Sequence, residues 1–339
     1  MRLDRLAALA AAVDRPQGRS LVRAAACRWA LDADPARYVR TSATCVYAVG
    51  GGYLRLVPVA DLPPEDVRVA ASVAAALERE GAPVVAPMPS TAGRLVEVVP
   101  SGVPGVGEVS AMIVDPAPGR ACDLDDLTGP DIERWGRAVA ILHEAGRRVD
   151  RSRLSSWPSV VSAAVAGRGD AAVGEAVESL LERCRNVLGP PDVVVHGDAQ
   201  PDNAGWTSAG PVFFDLDDVT VSWAVADLAM AVRDAQPIDT LDTPVTSTTA
   251  GQLFLRGYRQ LARLDHTDEQ ALPLVQRLTA ALTYGRLSRA LTPAPTRVPE
   301  PDWMVTLRGR LARTAERLRA ALTSGDGREW ERVGGPALR

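Results

Sequence analysis

The chain has no lysine: every one of its 38 basic side chains is arginine. Any role that ordinarily falls to an ammonium group must be taken by a guanidinium or be missing. Asparagine occurs only at Asn186 and Asn203, and histidine only at His143, His196 and His266. Net positive charge is absent too. The formal net charge is −4, which excludes the basic surface expected of a nucleic-acid binder. No apolar run approaches the ~20 residues needed to cross a bilayer. The Ala-rich run from Leu6 to Val13 is short and flanked by Asp4 and Asp14, which reads as an amphipathic helix rather than a leader. Cys27, Cys45, Cys122 and Cys184 are widely spaced without a CxxC pair, and fit reduced thiols better than a disulfide framework or a zinc site. The expectation is a soluble, cytoplasmic protein with neither a nucleic-acid nor a membrane partner.

The rare residue types meet in one place. A run of three valines leads into His196-Gly197-Asp198-Ala199-Gln200-Pro201-Asp202-Asn203, and a second apolar run, Val212-Phe213-Phe214, leads into Asp215-Leu216-Asp217-Asp218. An apolar strand reads as buried, and a buried unpaired carboxylate is costly. Acids delivered at the mouths of two such strands therefore need a neutralising partner, for which a divalent metal is the usual answer.

Along the chain, residues 1–30 read as helical with a break at Arg15-Pro16-Gln17-Gly18. Tyr38 to Arg40, Cys45 to Val49 and Tyr53 to Val57 read as strands, the last two joined by Gly50-Gly51-Gly52, a hairpin signature. Pro63 and Pro64 open a helix with Val69, Val73 and Leu77 on one face, ended by Gly81. Arg94 to Val99 and Val109 to Val114 are further strands, and Asp115 to Gly119 is a Pro/Gly-rich linker. Helices are expected over Pro130–Gly146, Trp157–Ala166 and Val173–Leu188, from about Val225, and three times between Ala250 and Thr323. A Gly-rich tail from Ser324 reads as loose.

The ordered set His196-Gly197-Asp198 … Asn203, Phe214-Asp215-Leu216-Asp217-Asp218 and Asp227-Leu228-Ala229 resembles the consecutive motifs of the aminoglycoside phosphotransferase and choline kinase-like family of small-molecule kinases. Trp135 to His143 resembles that family's helix ending in Leu-His, and Ser110 to Gly119 is similar to its hinge. The resemblance implies an α+β, two-lobed, protein-kinase-like fold. Residues 1–114 would form a small N-lobe with an antiparallel sheet, 115–119 the hinge, and 120–339 a larger, mainly helical C-lobe. It implies transfer of a nucleotide γ-phosphate, from ATP or GTP, to a hydroxyl of an antibiotic or similar metabolite. Phosphoryl transfer needs positioning and charge neutralisation more than covalent chemistry. Asp198 would be the base, Asn203 and Asp215 the Mg2+ ligands, and His196 and Asp227 braces of the catalytic loop. Asp202, Asp217 and Asp218 stay open between the acceptor site and outer support of the metal. On the nucleotide side, Ser42 and Thr44 would face phosphate, and Val114, Asp115 and Ala117 the base.

This chain departs from the family pattern at two points. The third-strand lysine maps onto Arg55, and its usual glutamate partner falls where the chain has Val69, Ala70, Ala71 and Ser72, with Glu65 and Asp66 a turn too early. That pattern supports an alternative, a nucleotide-binding pseudokinase without turnover. Phe213 to Thr220 is also similar to the opening motif of haloacid dehalogenase-like phosphatases, but their motifs would stand in reversed order here. The acids Asp123, Asp125, Asp126, Asp202, Asp217, Asp218 and Asp234 would suit a cationic acceptor, with helix capping the competing reading for the first three. Trp206, Trp223 and Tyr258 are either pocket walls or core.

Overall fold

The computed structural model describes residues 16–41, 44–167, 170–235, 247–292 and 302–324. The expected Leu6–Val13 helix, Ser42 and the tail beyond Ser324 lie outside the described residues. Helix α1 (Pro16–Ala26) begins where a break was expected. Proline at the first helical position loses nothing, because its N–H would have no intrahelical partner there.

The N-lobe sheet comprises β1 (Arg37–Thr41), β2 (Cys45–Val49), β3 (Gly52–Pro58), β4 (Pro87–Met88), β5 (Glu97–Pro100) and β6 (Glu108–Val114). Its order is β1-β2-β3-β6-β4, with β5 also paired to β6, and every pairing is antiparallel. Gly50 and Gly51 both have positive φ, 51° and 88°, between the paired residues Val49 and Gly52. This is the two-residue turn whose twist matches flanking strands, so the glycines make a hairpin. Helix α2 (Pro64–Arg79) covers one face of the sheet. Side chains alternate across a strand: Leu54 and Leu56 join Trp29, Val49 and Ile113 in one core, while Val57 joins Met112, Val67 and Ala71 in another. Arg55 therefore falls on the face that looks toward α2 and the C-lobe.

The connection to the C-lobe is close. Gly119 lies where a Cβ would stand 2.1 Å from the Trp206 carbonyl oxygen, and Arg120 and Trp206 exchange backbone hydrogen bonds of 3.0 and 2.8 Å. Phe213 donates to Pro83 O at 2.7 Å and accepts from Val85 N at 2.9 Å. The C-lobe is mainly helical: α3 (Gly129–Gly146), α4 (Trp157–Val165), α5 (Ala171–Leu188), α6 (Ala224–Ala231), α7 (Thr249–Tyr258), α8 (His266–Leu291) and α9 (Asp302–Thr323). Between α5 and α6 run β7 (Val193–Val195), β8 (Ala204–Thr207), β9 (Gly210–Phe213) and β10 (Thr220–Ser222), paired as β7 with β10 and β8 with β9. Thr128 and Asp131 form a reciprocal cap at the start of α3, the arrangement that satisfies two orphan N–H groups of a helix start. Trp135 of α3 meets Phe254 of α7 edge to face at 4.6 Å. No helix among the described residues is long and apolar enough to cross a membrane.

The crossing of α3 and α7 depends on two glycines. A Cβ on Gly136 would lie 2.0 Å from the Phe254 carbonyl oxygen, and one on Gly257 would lie 2.0 Å from that of Glu133. Gly174, inside α5, has nothing within 4 Å of its position. Gly136→Ala is expected to lower stability in urea titration by about 1–3 kcal/mol through overpacking. Gly174→Ala should instead raise it by roughly 0.5–1 kcal/mol. A Gly136→Ala protein as stable as wild type would contradict this packing.

Candidate active site

The two acidic runs are brought together by backbone pairing. β7 ends at Val195, just before His196, and pairs antiparallel with β10, which follows Asp218: Val195 faces Thr220 and Val193 faces Ser222. On the other side, Phe214 N donates to Asn203 O at 2.9 Å, which places Asn203 beside the residue preceding Asp215. Gly197, at φ 81°, closes the contact. A Cβ there would sit 2.2 Å from the Asp218 carbonyl oxygen, so only glycine fits between His196 and Asp198.

Hydrogen bonds hold this geometry from below. The Asp227 carboxylate accepts from Gly197 N at 2.8 Å and from His143 Nε2 at 3.0 Å, and His143 Nδ1 lies 3.0 Å from the Tyr258 hydroxyl. Because a carboxylate only accepts, Nε2 of His143 carries the hydrogen and Nδ1 accepts from Tyr258. His196 is fixed similarly: its Nε2 donates to Phe214 O at 3.0 Å and its Nδ1 accepts from Asp198 N at 3.2 Å. Both histidines and Asp227 are almost fully buried. His143 and Tyr258 are thus part of the loop's support, with Tyr258 in the core rather than in a pocket wall. Trp206 and Trp223 are core as well, their indole N–H groups donating to Pro201 O and Gly189 O.

Asp198 projects from this frame, partly exposed. Asn203 Nδ2 donates to its Oδ2 at 3.1 Å and to its backbone oxygen at 3.0 Å. Its other oxygen, Oδ1, accepts from Arg233 Nη1 at 2.6 Å. Arg233 also donates to Gln200, whose amide donates in turn to Asp234 at 2.9 Å. Asp218 pairs with Arg286 of α8 at 2.7 Å. Burial pushes the Asp218 carboxyl above the usual carboxylate range, with Arg286 pulling the other way and Asp198 adding to the rise.

Asp215 adopts a left-handed conformation, φ 67° and ψ 53°, uncommon for a residue with a side chain and frequent at functional positions. The reversal, followed by a 3-10 turn over Leu216–Asp218, turns Asp215 and Asp217 onto the same partner. Arg55 Nη2 reaches Asp215 Oδ1 at 2.6 Å and Asp217 Oδ2 at 2.7 Å, while Nη1 reaches Asp217 Oδ1 at 3.2 Å. Burial opposes the Arg55 charge, but Asp217 and then Asp215 outweigh it and hold the guanidinium above its ordinary range. Burial in turn pushes the Asp217 carboxyl up, against the pull of Arg55.

Four of the acids that the sequence suggested a metal would neutralise are therefore met by arginine: Asp215 and Asp217 by Arg55, Asp198 by Arg233 and Asp218 by Arg286. Arg233 and Arg286 carried no sequence signal, since nothing in a lysine-free chain marks one arginine from another. Among the described residues no group of three or more His, Cys, Asp or Glu side chains could hold a metal by itself. Asn203 and Asp215 present amide and carboxylate oxygens, the donor type that a hard cation takes.

Arg55, Ala70, Met112, Val114, Asp215 and Asp217 line one cavity between the lobes. Of the other expected nucleotide contacts, Asp115 is exposed and Ala117 half-buried in the connection, and Thr44 is buried at the turn between β1 and β2. None of these three lines the cavity. Asp202 is exposed. The Asp123 to Asp126 group caps a short 3-10 turn, with Asp126 accepting from Asp123 N at 3.0 Å.

A family profile described as the phosphotransferase enzyme family matches residues 32–264. An amicoumacin kinase of Bacillus subtilis (strain 168) is 25% identical over 219 residues, which are 61% of this chain. The chain spans 65% of that curated relative's length. Among solved structures, an amicoumacin kinase in complex with AMP-PNP, Ca2+ and Ami superposes with a TM-score of 0.70 at 18% identity, covering 98% of this chain and all of that one. A microcompartment-associated aminopropanol kinase gives 0.62 at 20% identity, covering 90% of this chain and 98% of the other. At these identities the structural likeness shows the two-lobed, kinase-like fold alone.

The brace beneath Gly197 makes a quantitative expectation. Asp227→Ala strands the Gly197 and His143 N–H donors and should cost about 1–3 kcal/mol for each. Tyr258→Phe removes only the hydroxyl that meets His143 and Arg147, strands no charged group, and should cost less, about 0.5–1.5 kcal/mol for each hydrogen bond lost. Urea titration of the two variants checks the order, and equal losses would contradict it.

Proposed function

The chain belongs to the phosphotransferase enzyme family, and we propose that it moves the γ-phosphate of ATP or GTP onto a hydroxyl of a small natural product such as an antibiotic. The reading is carried by the convergence of the Asp198–Asn203 pair with the Asp215–Arg55 pair at the junction of the lobes.

Asp198 takes or orients the proton of the acceptor hydroxyl, a role worth roughly 10²–10⁴-fold. Asn203 holds one of its oxygens and Arg233 the other, so the carboxylate has one orientation before the acceptor arrives. His196 and Asp227 keep the loop backbone beneath it rigid. Asn203 and Asp215 would hold Mg2+, which when bound would offset negative charge developing on the phosphates. Arg55 faces the same phosphates from β3. A guanidinium binds phosphate oxygens bidentately, so the missing lysine need not mean a missing function. The nucleotide's base would meet the connection at Asp115 and Ala117, beyond Val114, and Thr44 would serve the phosphates from the turn between β1 and β2, although Asp115, Ala117 and Thr44 stand outside the cavity that Arg55 and Val114 line.

Acceptor specificity resides on the C-lobe side of Asp198. Arg233 and Arg286 stand there beside Asp198 and Asp218, so the face carries both signs of charge. It suits an acceptor with amine and carbonyl groups together better than a polycation. The likeness to an amicoumacin kinase supports an antibiotic of that general kind.

The test is a nucleotide-consumption assay with Mg-ATP and Mg-GTP across hydroxylated antibiotics and amino alcohols. Wild type should turn over at least one acceptor, and Asp198→Ala should lose about 10²–10⁴-fold in kcat while its nucleotide affinity stays within a few-fold. Absence of any Mg-nucleotide binding by the wild type would overturn the reading. Binding without turnover on a broad panel would favour the pseudokinase.

A further inference from the structure

Helix α2 presents no acid to Arg55. The residues of α2 that line the cavity around the guanidinium are Ala70, Ala71 and Ala74. The acids of α2 are engaged elsewhere or face away. Glu65 pairs with Arg68 and Arg153, Glu78 accepts from Ala86 N, and Asp66 is exposed. Yet Arg55 is only 8% exposed, and a buried cation without a partner is strongly disfavoured.

The partner comes from the other lobe. Asp217 offers both carboxylate oxygens to the two terminal nitrogens of Arg55, at 2.7 and 3.2 Å. That is the parallel, two-bond arrangement that fixes the plane of a guanidinium as well as its position. Asp215 meets the same group through one of its own oxygens, Oδ1, at Nη2. The left-handed turn at Asp215 aims Asp217 at β3, and Leu216, buried between them, locks that turn.

We propose that Asp217 is the positioning residue for Arg55, taking from the loop after β9 the counter-ion role that α2 cannot supply. The inference rests on the phosphotransferase reading, because Arg55 is there taken to meet nucleotide phosphate. On this account Asp217 is neither an acceptor contact nor a metal ligand. It keeps Arg55 oriented when Asp215 turns to other partners. The pair also joins strand β3 of the N-lobe to the metal-side loop of the C-lobe directly, so the phosphate-binding cation and Asp215 move as one unit.

The test is a double-mutant cycle on nucleotide affinity, read by titration of a fluorescent ATP analogue with Mg2+ and in parallel as kcat and KM. Asp217→Asn should weaken nucleotide affinity by about tenfold or more, as expected for a lost charged hydrogen-bonded pair. Asp217→Glu, which keeps the charge, should recover most of that loss. In an Arg55→Gln background Asp217→Asn should change affinity by less than about twofold, since its partner is already gone. Thermal unfolding confirms that each variant is folded. Asp217→Asn with wild-type nucleotide affinity and KM, or losses that multiply independently in the double variant, would overturn the inference. Failure of the wild type to bind nucleotide would instead remove the reading beneath it.

Discussion

Arg55 is the point at which the two lobes meet chemically. It stands on a central strand of the N-lobe sheet, buried against Met112, and its charge is balanced wholly by carboxylates from the loop that follows β9. Burying a charge is tolerable only with good geometry and full hydrogen bonding, so the arginine constrains its surroundings. The alanines of α2 leave room for the guanidinium, the left-handed Asp215 turns the loop toward it, and Gly197 lets that loop lie against the one that carries Asp198. A lysine would offer a point charge instead of a fork. In a chain that has no lysine, two acids spaced by one residue make a matching receptor.

The loop that carries Asp198 depends on this junction and on a separate support from below. Asp227 grips the Gly197 N–H and is itself oriented by His143, which Tyr258 fixes in turn. The chain of contacts runs from α7 through α3 and α6 to the backbone one residue before Asp198. Glycine at positions 136, 146 and 257 brings those helices and β7 within backbone contact. The placement of Asp198 is thus a property of the helical core, transmitted by a chain of buried hydrogen bonds.

Much of this was legible in the sequence because it is local. The hairpin at Gly50 and Gly51, the long helices, and the clustering of scarce His and Asn beside acids all follow from short-range pattern. Strands of two or three residues, such as β4 and β10, left too little alternation to read. The break expected at Pro16 was a helix start, since proline signals both. What could not be read was which arginine meets which acid. Arg55 and Asp217 are 162 residues apart and Arg286 and Asp218 are 68 apart, and no periodicity encodes such pairs. The same gap made Asp217 and Asp218 look available to a cationic acceptor, whereas each holds an arginine. Trp206 and Trp223 were ambiguous for a related reason: an aromatic near a motif reads alike as core or as pocket until its N–H partner is seen.

A crystal structure with Mg2+ and a non-hydrolysable ATP analogue tests the central claim most directly. The account predicts metal density shared by the phosphates, Asp215 and Asn203, with Arg55 turned onto phosphate oxygen while still paired to Asp217, and the γ-phosphate directed at Asp198. Nucleotide bound away from Asp215, with Arg55 still bridging both acids, would contradict it.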